Sequence, residues 1–200
     1  MGQYFARIVR AVIVSALGFG GGTGLLVFIA ILVTTGRQDA LEIATRAALV
    51  IGIGFGAVLA AVLLLSDLTS RLFVAQGKYN EIWDLEQSRV MEVAGSLRDI
   101  RRYCRESLMA VPNIKVVSTD EELAIKASTG ASWRSPSELM EISINQKSDD
   151  LWELKCSSRS LASHIAFDYA KNFENVETWS KTMRRLIEHD KLTPGHQTTS

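Results

Sequence analysis

Two apolar runs without a single charge, Ala11–Gly36 and Ala47–Ser66, open the chain, and only ten residues separate them. A bilayer's hydrocarbon core is about 30 Å thick, and a helix rising about 1.5 Å per residue crosses it in about 20 residues. The pattern predicts two transmembrane helices, about 11–34 and 47–66, forming a hairpin. From Asp67 to Ala110 the apolar spacing becomes three and four, as in Val90, Val93, Leu97, Ile100 and Cys104, and a helix covering a sheet is expected. Leu68, Leu72, Ala75, Tyr79 and Ile82 extend the same period upstream as a stalk, with Gly77 at a bend or break. Beyond Pro112-Asn113 the period falls to two in Ile114–Ser118, Leu123–Ser128, Leu139–Gln146 and Leu151–Ser157. Met140, Ile142 and Ile144 alternate with Glu141, Ser143 and Asn145, so each strand has one wet and one dry face. A last amphipathic helix, capped by Asn172, carries Val176, Trp179, Met183, Leu186 and Ile187.

The predicted fold class is a membrane protein: a two-helix transmembrane hairpin plus a small α+β domain, an antiparallel four-stranded meander with two helices on one face. The expected boundaries are 1–66 for the N-terminal segment and hairpin, 67–88 for the stalk, 89–190 for the α+β domain and 191–200 for a disordered tail.

Charge adds orientation and removes one class of partner. Of 22 basic and 22 acidic residues the first 66 positions hold four and two, leaving 18 and 20 for the remainder. So balanced a portion gives no global electrostatic reason to bind nucleic acid. Arg7 and Arg10 precede the first run, and Arg71, Lys78 and Arg89 follow the second, while Arg37 and Arg46 lie in the loop. The bias places both termini and the α+β domain in the cytoplasm, at a bacterial inner membrane. Tyr4, Phe5, Phe73 and Tyr79 fit an aromatic belt at that interface.

Glycine clusters in both runs. Gly18-x-x-x-Gly22, Gly20-x-x-x-Gly24 and Gly52-x-x-x-Gly56 set small residues one turn apart, so Gly18, Gly22, Gly52 and Gly56 are candidate packing positions, between the two helices or with a second copy. Gly52-Ile53-Gly54-Phe55-Gly56-Ala57 also matches the G-x-G-x-x-A turn of dinucleotide-binding folds. That turn needs a following helix, a second strand and an acid about 20 residues on, within a soluble parallel sheet. Here the apolar character runs on through Leu65, so no cofactor is expected.

A resemblance rests on Ser158-Arg159-Ser160 followed by Asp168-Tyr169-Ala170-Lys171-Asn172 and a helix, after a Trp-containing strand. Residues 114–187 resemble a family of uncharacterised bacterial and plant-organelle proteins ending in Ser-Arg, then Asp-x-Gly-x-Asn, then a helix. Ala170 replaces the glycine, and the gap between Arg159 and Asp168 is longer. The resemblance implies a similar small α+β fold and brings no activity with it.

The remaining constellations point to binding. Ser160, His164 and Asp168 have the residue types of a triad, but at intervals of four on a helix they project in parallel instead of converging. Asp168 is better suited to pair with Arg159 or to bond backbone amides at the helix start, so Arg159, Asp168 and Asn172 form a candidate ligand or structural cluster. Arg98, Arg101, Arg102 and Arg105 share one helix face and are candidates for anionic-lipid contact, with Asp99 and Glu106 diluting them. Cys104 and Cys156 are 52 residues apart without ligand spacing, and His164, His189 and His196 are scattered, so no metal site is expected. Trp133 and Trp152 are expected in core or sheet-edge packing, and Glu121-Glu122 and Asp149-Asp150 in solvated turns. The expected function is a membrane-anchored interaction module, not an enzyme, with an unidentified protein partner and the capacity to self-associate. The alternatives are an accessory subunit acting through the Gly-rich hairpin and a ligand-processing domain around Arg159 and Asp168.

Overall fold

The structure, a computed structural model, describes residues 2–34, 37–121, 123–162, 165 and 167–192; the side chains of 2–3, 37–40 and 116–121 fall outside that description. The chain divides into two compact units, Met1–Thr69 and Ser70–Ser200.

The first unit is an antiparallel pair of long helices, α1 (Gly2–Thr34) and the greater part of α2 (Arg37–Ala75). Each contains a stretch long and apolar enough to cross a membrane. The antiparallel register is read from cross-contacts. Tyr4 donates to Asp67 Oδ2 at 2.6 Å, the Phe19 and Phe55 rings stack at 3.7 Å, and Gly24 faces Ala48 and Ala44. The backbones touch at Gly20 and Gly52: a Cβ on Gly52 would lie 2.8 Å from Gly20 Cα and 2.9 Å from the Ala16 carbonyl oxygen. Gly56 meets Ala16 in the same way. Of the two α1 glycine pairs, the seam uses Gly20 and Gly24. Gly18 and Gly22, the pair singled out as packing positions, have open space where a Cβ would project, because they are rotated away from α2.

The second unit is α+β. Its sheet has five antiparallel strands, one more than the alternation predicts: β1 (Gln87–Ala94), β2 (Ile114–Glu121), β3 (Ala124–Thr129), β4 (Glu138–Ser148) and β5 (Leu151–Ser160), ordered β1-β5-β4-β3-β2. The meander is β2 to β5, and β1 closes onto the free edge of β5, from Gln87 opposite Ser158 to Ala94 opposite Leu151. Residues 87–94, expected in a helix, are extended, and the helix begins only afterwards. Gly95 has φ 149°, and Ser96 caps α3 (Leu97–Met109) by accepting from the Asp99 amide at 3.2 Å. The apparent stripe is therefore split. Val93 is buried from β1 and Ile100 and Cys104 from α3, whereas Val90 points to solvent.

Helices α3 and α4 (Lys171–Leu192) bury their apolar faces in one core with the dry face of the sheet. Ile100, Cys104 and Leu108 meet Met140, Ile142, Ile144, Leu154 and Cys156, with Val176, Trp179 and Met183 from α4. The opposite sheet face is wet and charged, with Lys147 bridging Glu92 at 2.5 Å and Glu153 at 3.1 Å. The last turn of α2, from Ser70, belongs to this unit. It ends at Ala75 because Gln76 (φ 46°) and Gly77 (φ 90°) adopt the left-handed conformation of a helix stop.

Candidate functional site

Two polar assemblies stand out in the α+β unit, one buried and one open. The buried one gathers where the chain enters α4. Tyr169 (φ 46°) and Ala170 (φ 58°) turn the backbone so that it wraps the Asp168 carboxylate. Oδ1 accepts from the Arg71 guanidinium at 2.9 Å and from the Ala170 amide at 3.2 Å. Oδ2 accepts from the Asn172 amide at 3.3 Å and from Asn172 Nδ2 at 3.0 Å. Asn172 Nδ2 also donates to the Leu85 carbonyl at 2.7 Å, and its Oδ1 accepts from the Ser158 hydroxyl at 2.7 Å. Arg71 is sealed as well: its guanidinium donates to the Ile82 carbonyl and lies over the Trp83 ring at 5.9 Å. The side chains of Arg71 and Asp168 are 0% and 1% exposed. A carboxylate whose two oxygens each hold two donors has little capacity left for a ligand, so this cluster is a clamp on the start of α4.

Asp168 and Asn172 thus come together as the sequence predicts, and Asp168 does bond backbone amides. Arg159 does not join them. Trp152, Leu154, Cys156 and Ser158 are the buried set on β5, so Arg159 falls in the opposite phase and is exposed. The partner that spacing could not reveal is Arg71, 97 residues upstream of Asp168. Its signal lies in the pattern all the same, since Arg71 sits one turn before Ala75, the fully buried end of the stripe on α2.

The open assembly is a groove of about 630 Å³ between α3 and β3. Arg98, Arg101, Arg102 and Arg105 line it together with Leu97, Glu106 and Ile125. Arg101, Arg102 and Arg105 follow Arg98 by three, four and seven residues, while Ile100, Tyr103, Cys104 and Leu108 hold the other face of α3 in the core. Arg102 is tied to Asp190 at 2.6 Å and Asp99 at 3.5 Å, and the Tyr103 hydroxyl donates to the same Asp190 carboxylate at 2.5 Å. Hydrogen bonds from Tyr103 and Arg102 hold Asp190 below the usual carboxylate range. Burial, then the bond to Asp190, pushes the Tyr103 phenol up to about 12. Arg98 and Arg101 have no ion-pair partner among the described residues, which leaves their charge available to the groove.

Other expectations divide. Trp152 is buried, with Nε1 donating to the Gly95 carbonyl at 2.9 Å, but Trp133 is 80% exposed in the β3–β4 connection. Cys104 and Cys156 are both fully buried, and burial pushes the Cys104 thiol up to about 12 and Cys156 higher still. Asp149 and Asp150 occupy the exposed β4–β5 turn. The triad and the Glu121-Glu122 pair rest on His164 and Glu122, and His196 belongs to the tail; all three lie outside the described residues. Glu138 is a buried acid the sequence reading passed over. It is 1% exposed, accepts from the Thr129 hydroxyl, and shares the buried phase of Met140, Ile142 and Ile144.

No protein-family model matches the chain, and no curated protein does. Among solved structures it is similar to a conserved protein from Geobacillus kaustophilus, at 10% identity over 53% of this chain and 97% of that one, with a TM-score of 0.32. So low a score bears on neither fold detail nor function.

Proposed function

We propose that this chain is a membrane-anchored binding module whose α+β domain takes a multiply charged anion of the phosphate class in the arginine groove of α3. The groove carries this reading: about 630 Å³ of open space, four guanidinium groups on one face, and two of them without an ion-pair partner among the described residues. Planar guanidinium forks suit phosphate oxygens, while Leu97 and Ile125 give the groove an apolar side. No catalytic role is proposed.

The anchor is the helix pair. Between Arg46 and Asp67 there is no charge, and a hairpin whose Tyr4 bonds Asp67 brings its two outer ends to the same side. The Lys and Arg residues beyond those ends favour the cytoplasmic face of a bacterial inner membrane. The left-handed backbone of Ala170 stands where the Asp-x-Gly-x-Asn pattern has glycine, which supports the resemblance of residues 114–187 to that family. A second reading, an accessory subunit docking through the hairpin on a larger complex or another copy, is favoured by the open faces of Gly18 and Gly22.

The test uses the full chain in nanodiscs of zwitterionic lipid at low salt, titrated separately with inorganic pyrophosphate and with a water-soluble short-chain phosphatidic acid. Saturable binding that falls at least tenfold in the Arg98→Glu/Arg101→Glu variant, with unchanged melting, supports the groove. Failure of both probes to bind, or equal binding by the variant, refutes it.

A further inference from the structure

Exposed aromatic and aliphatic side chains collect at one edge of the α+β unit, and the largest of them is Trp133, expected from the sequence in core or sheet-edge packing. Trp133 is 80% exposed and Leu161 is 53% exposed. Trp133 lies 5.8 Å from the Tyr169 ring, which in turn lies 6.1 Å from Phe167. Two connections present this edge, β3–β4 and β5–α4, and each is fixed from behind. Arg134 donates to the Tyr169 carbonyl at 2.6 Å and pairs with Glu174 at 2.7 Å, and the Leu161 amide donates to the Ser137 carbonyl at 3.0 Å. A Trp held in solvent by an ordered loop loses the benefit of burying its ring, so the exposure calls for an occupant.

The chain itself indicates which. Tyr169 adjoins Asp168, and Asp168 is bonded to Arg71 in the last turn of α2. Arg71 follows Ser66, the end of the second apolar run, by five residues, and those residues are helical, a rise of about 8 Å. Phe73, 90% exposed, lies in the same turn. If the apolar run ends at the bilayer surface, the clamp and the loops around it cannot lie far from that surface.

We infer that Trp133, Leu161 and Phe167 form a membrane-docking edge that inserts into the headgroup and upper acyl region of the bilayer carrying the anchor. Indole and phenol rings prefer this zone because the ring body meets acyl chains while the polar tip stays wet. The inference rests on the membrane reading above. It also bears on the groove. Strand β4 runs from Glu138, at the aromatic edge, to Ser148, near the start of α3, a length of about 33 Å. The Arg98 end of the groove thus lies at the opposite end of the sheet from the aromatic edge.

The experiment compares the full chain in nanodiscs containing lipid brominated near the headgroup with the same discs without bromine. Trp152 and Trp179 are buried in the domain core, so bromine quenching must come from Trp133 or the half-buried Trp83. The expected result is clear quenching of the wild type and a several-fold smaller quenched component in Trp133→Phe, a variant that keeps the aromatic body. A second probe is a nitroxide on Leu161→Cys, since both native thiols are buried; its collisions should favour oxygen over a water-soluble nickel complex. Unchanged quenching in Trp133→Phe, or a nitroxide as open to nickel as one at Asp149→Cys, overturns the docking edge while the anchor stands. Release of the wild type from membranes by alkaline carbonate overturns the anchor and the docking edge together.

Discussion

Replacing Asp168 by Asn keeps the side chain's size and removes its charge, and the clamp at the start of α4 fixes what that costs. In the wild type two oxygens receive four donors: Arg71, the Ala170 amide, the Asn172 amide and Asn172 Nδ2. Asparagine has one oxygen, so either its NH₂ faces the two Asn172 donors or it faces Arg71. One donor pair is opposed in both orientations, and the Arg71 guanidinium, 0% exposed, loses the charge of Asp168. Removing one partner of a buried pair costs about 3–5 kcal/mol. For a domain of this size that corresponds to a fall in Tm of roughly 10–20 °C. The assay is thermal unfolding of the full chain in detergent, followed by tryptophan fluorescence, for Asp168→Asn, Arg71→Met and the double variant. The singles should fall by this amount and the double should recover much of the loss, because it removes both charges of the Arg71–Asp168 pair together. A single variant melting within about 2 °C of wild type would refute the clamp, and fully additive losses would show that the two side chains are not coupled.

Three further outcomes follow from particular contacts. Gly52→Ala places a methyl against the α1 backbone at Ala16 and Gly20 and should lower the disulfide yield between Phe19→Cys and Phe55→Cys, whereas Gly22→Ala, which meets open space, should leave it unchanged. Tyr103 should form phenolate near pH 12; its pKa is raised on folding, so its contribution to stability is complete below about pH 10 and is lost as pH climbs through 12. Burial pushes the Glu177 carboxyl up, but hydrogen bonds from Lys78 at 2.8 Å and Arg89 at 2.6 Å outweigh it and hold the group below its ordinary value. That stability is present above about pH 4.3 and fades as pH falls through the lower folded value, so Glu177→Gln should flatten the acid limb of Tm against pH.

How much of this was legible depends on whether a signal was local. The four meander strands and the last helix were readable because alternation and helical spacing are properties of consecutive residues, as in Met140, Ile142 and Ile144. Strand β1 was not, because Val90, Val93 and Leu97 mimic a helical stripe across a junction. The informative residues were Gly95 and Ser96, a left-handed-tolerant break followed by a cap with Asp99 three positions on. The same limit governed the polar residues. Arg98 to Arg105 share one helix, so their common face could be derived, but the wall supplied by Ile125 could not. The choice of Arg159 as partner to Asp168 failed for a reason the sequence already contained. Once Trp152, Leu154 and Cys156 define the buried phase of β5, position 159 is bound to point the other way, and the counter-charge has to come from elsewhere. Arg71 supplies it from the turn of α2 that leads out of the apolar run, so a change at Asp168 should be felt at that turn before it reaches the sheet. Protease sensitivity between Ala75 and Gln87 should therefore rise in Asp168→Asn at temperatures well below unfolding of the core, and coincident loss of both would mean the clamp has no separate melting.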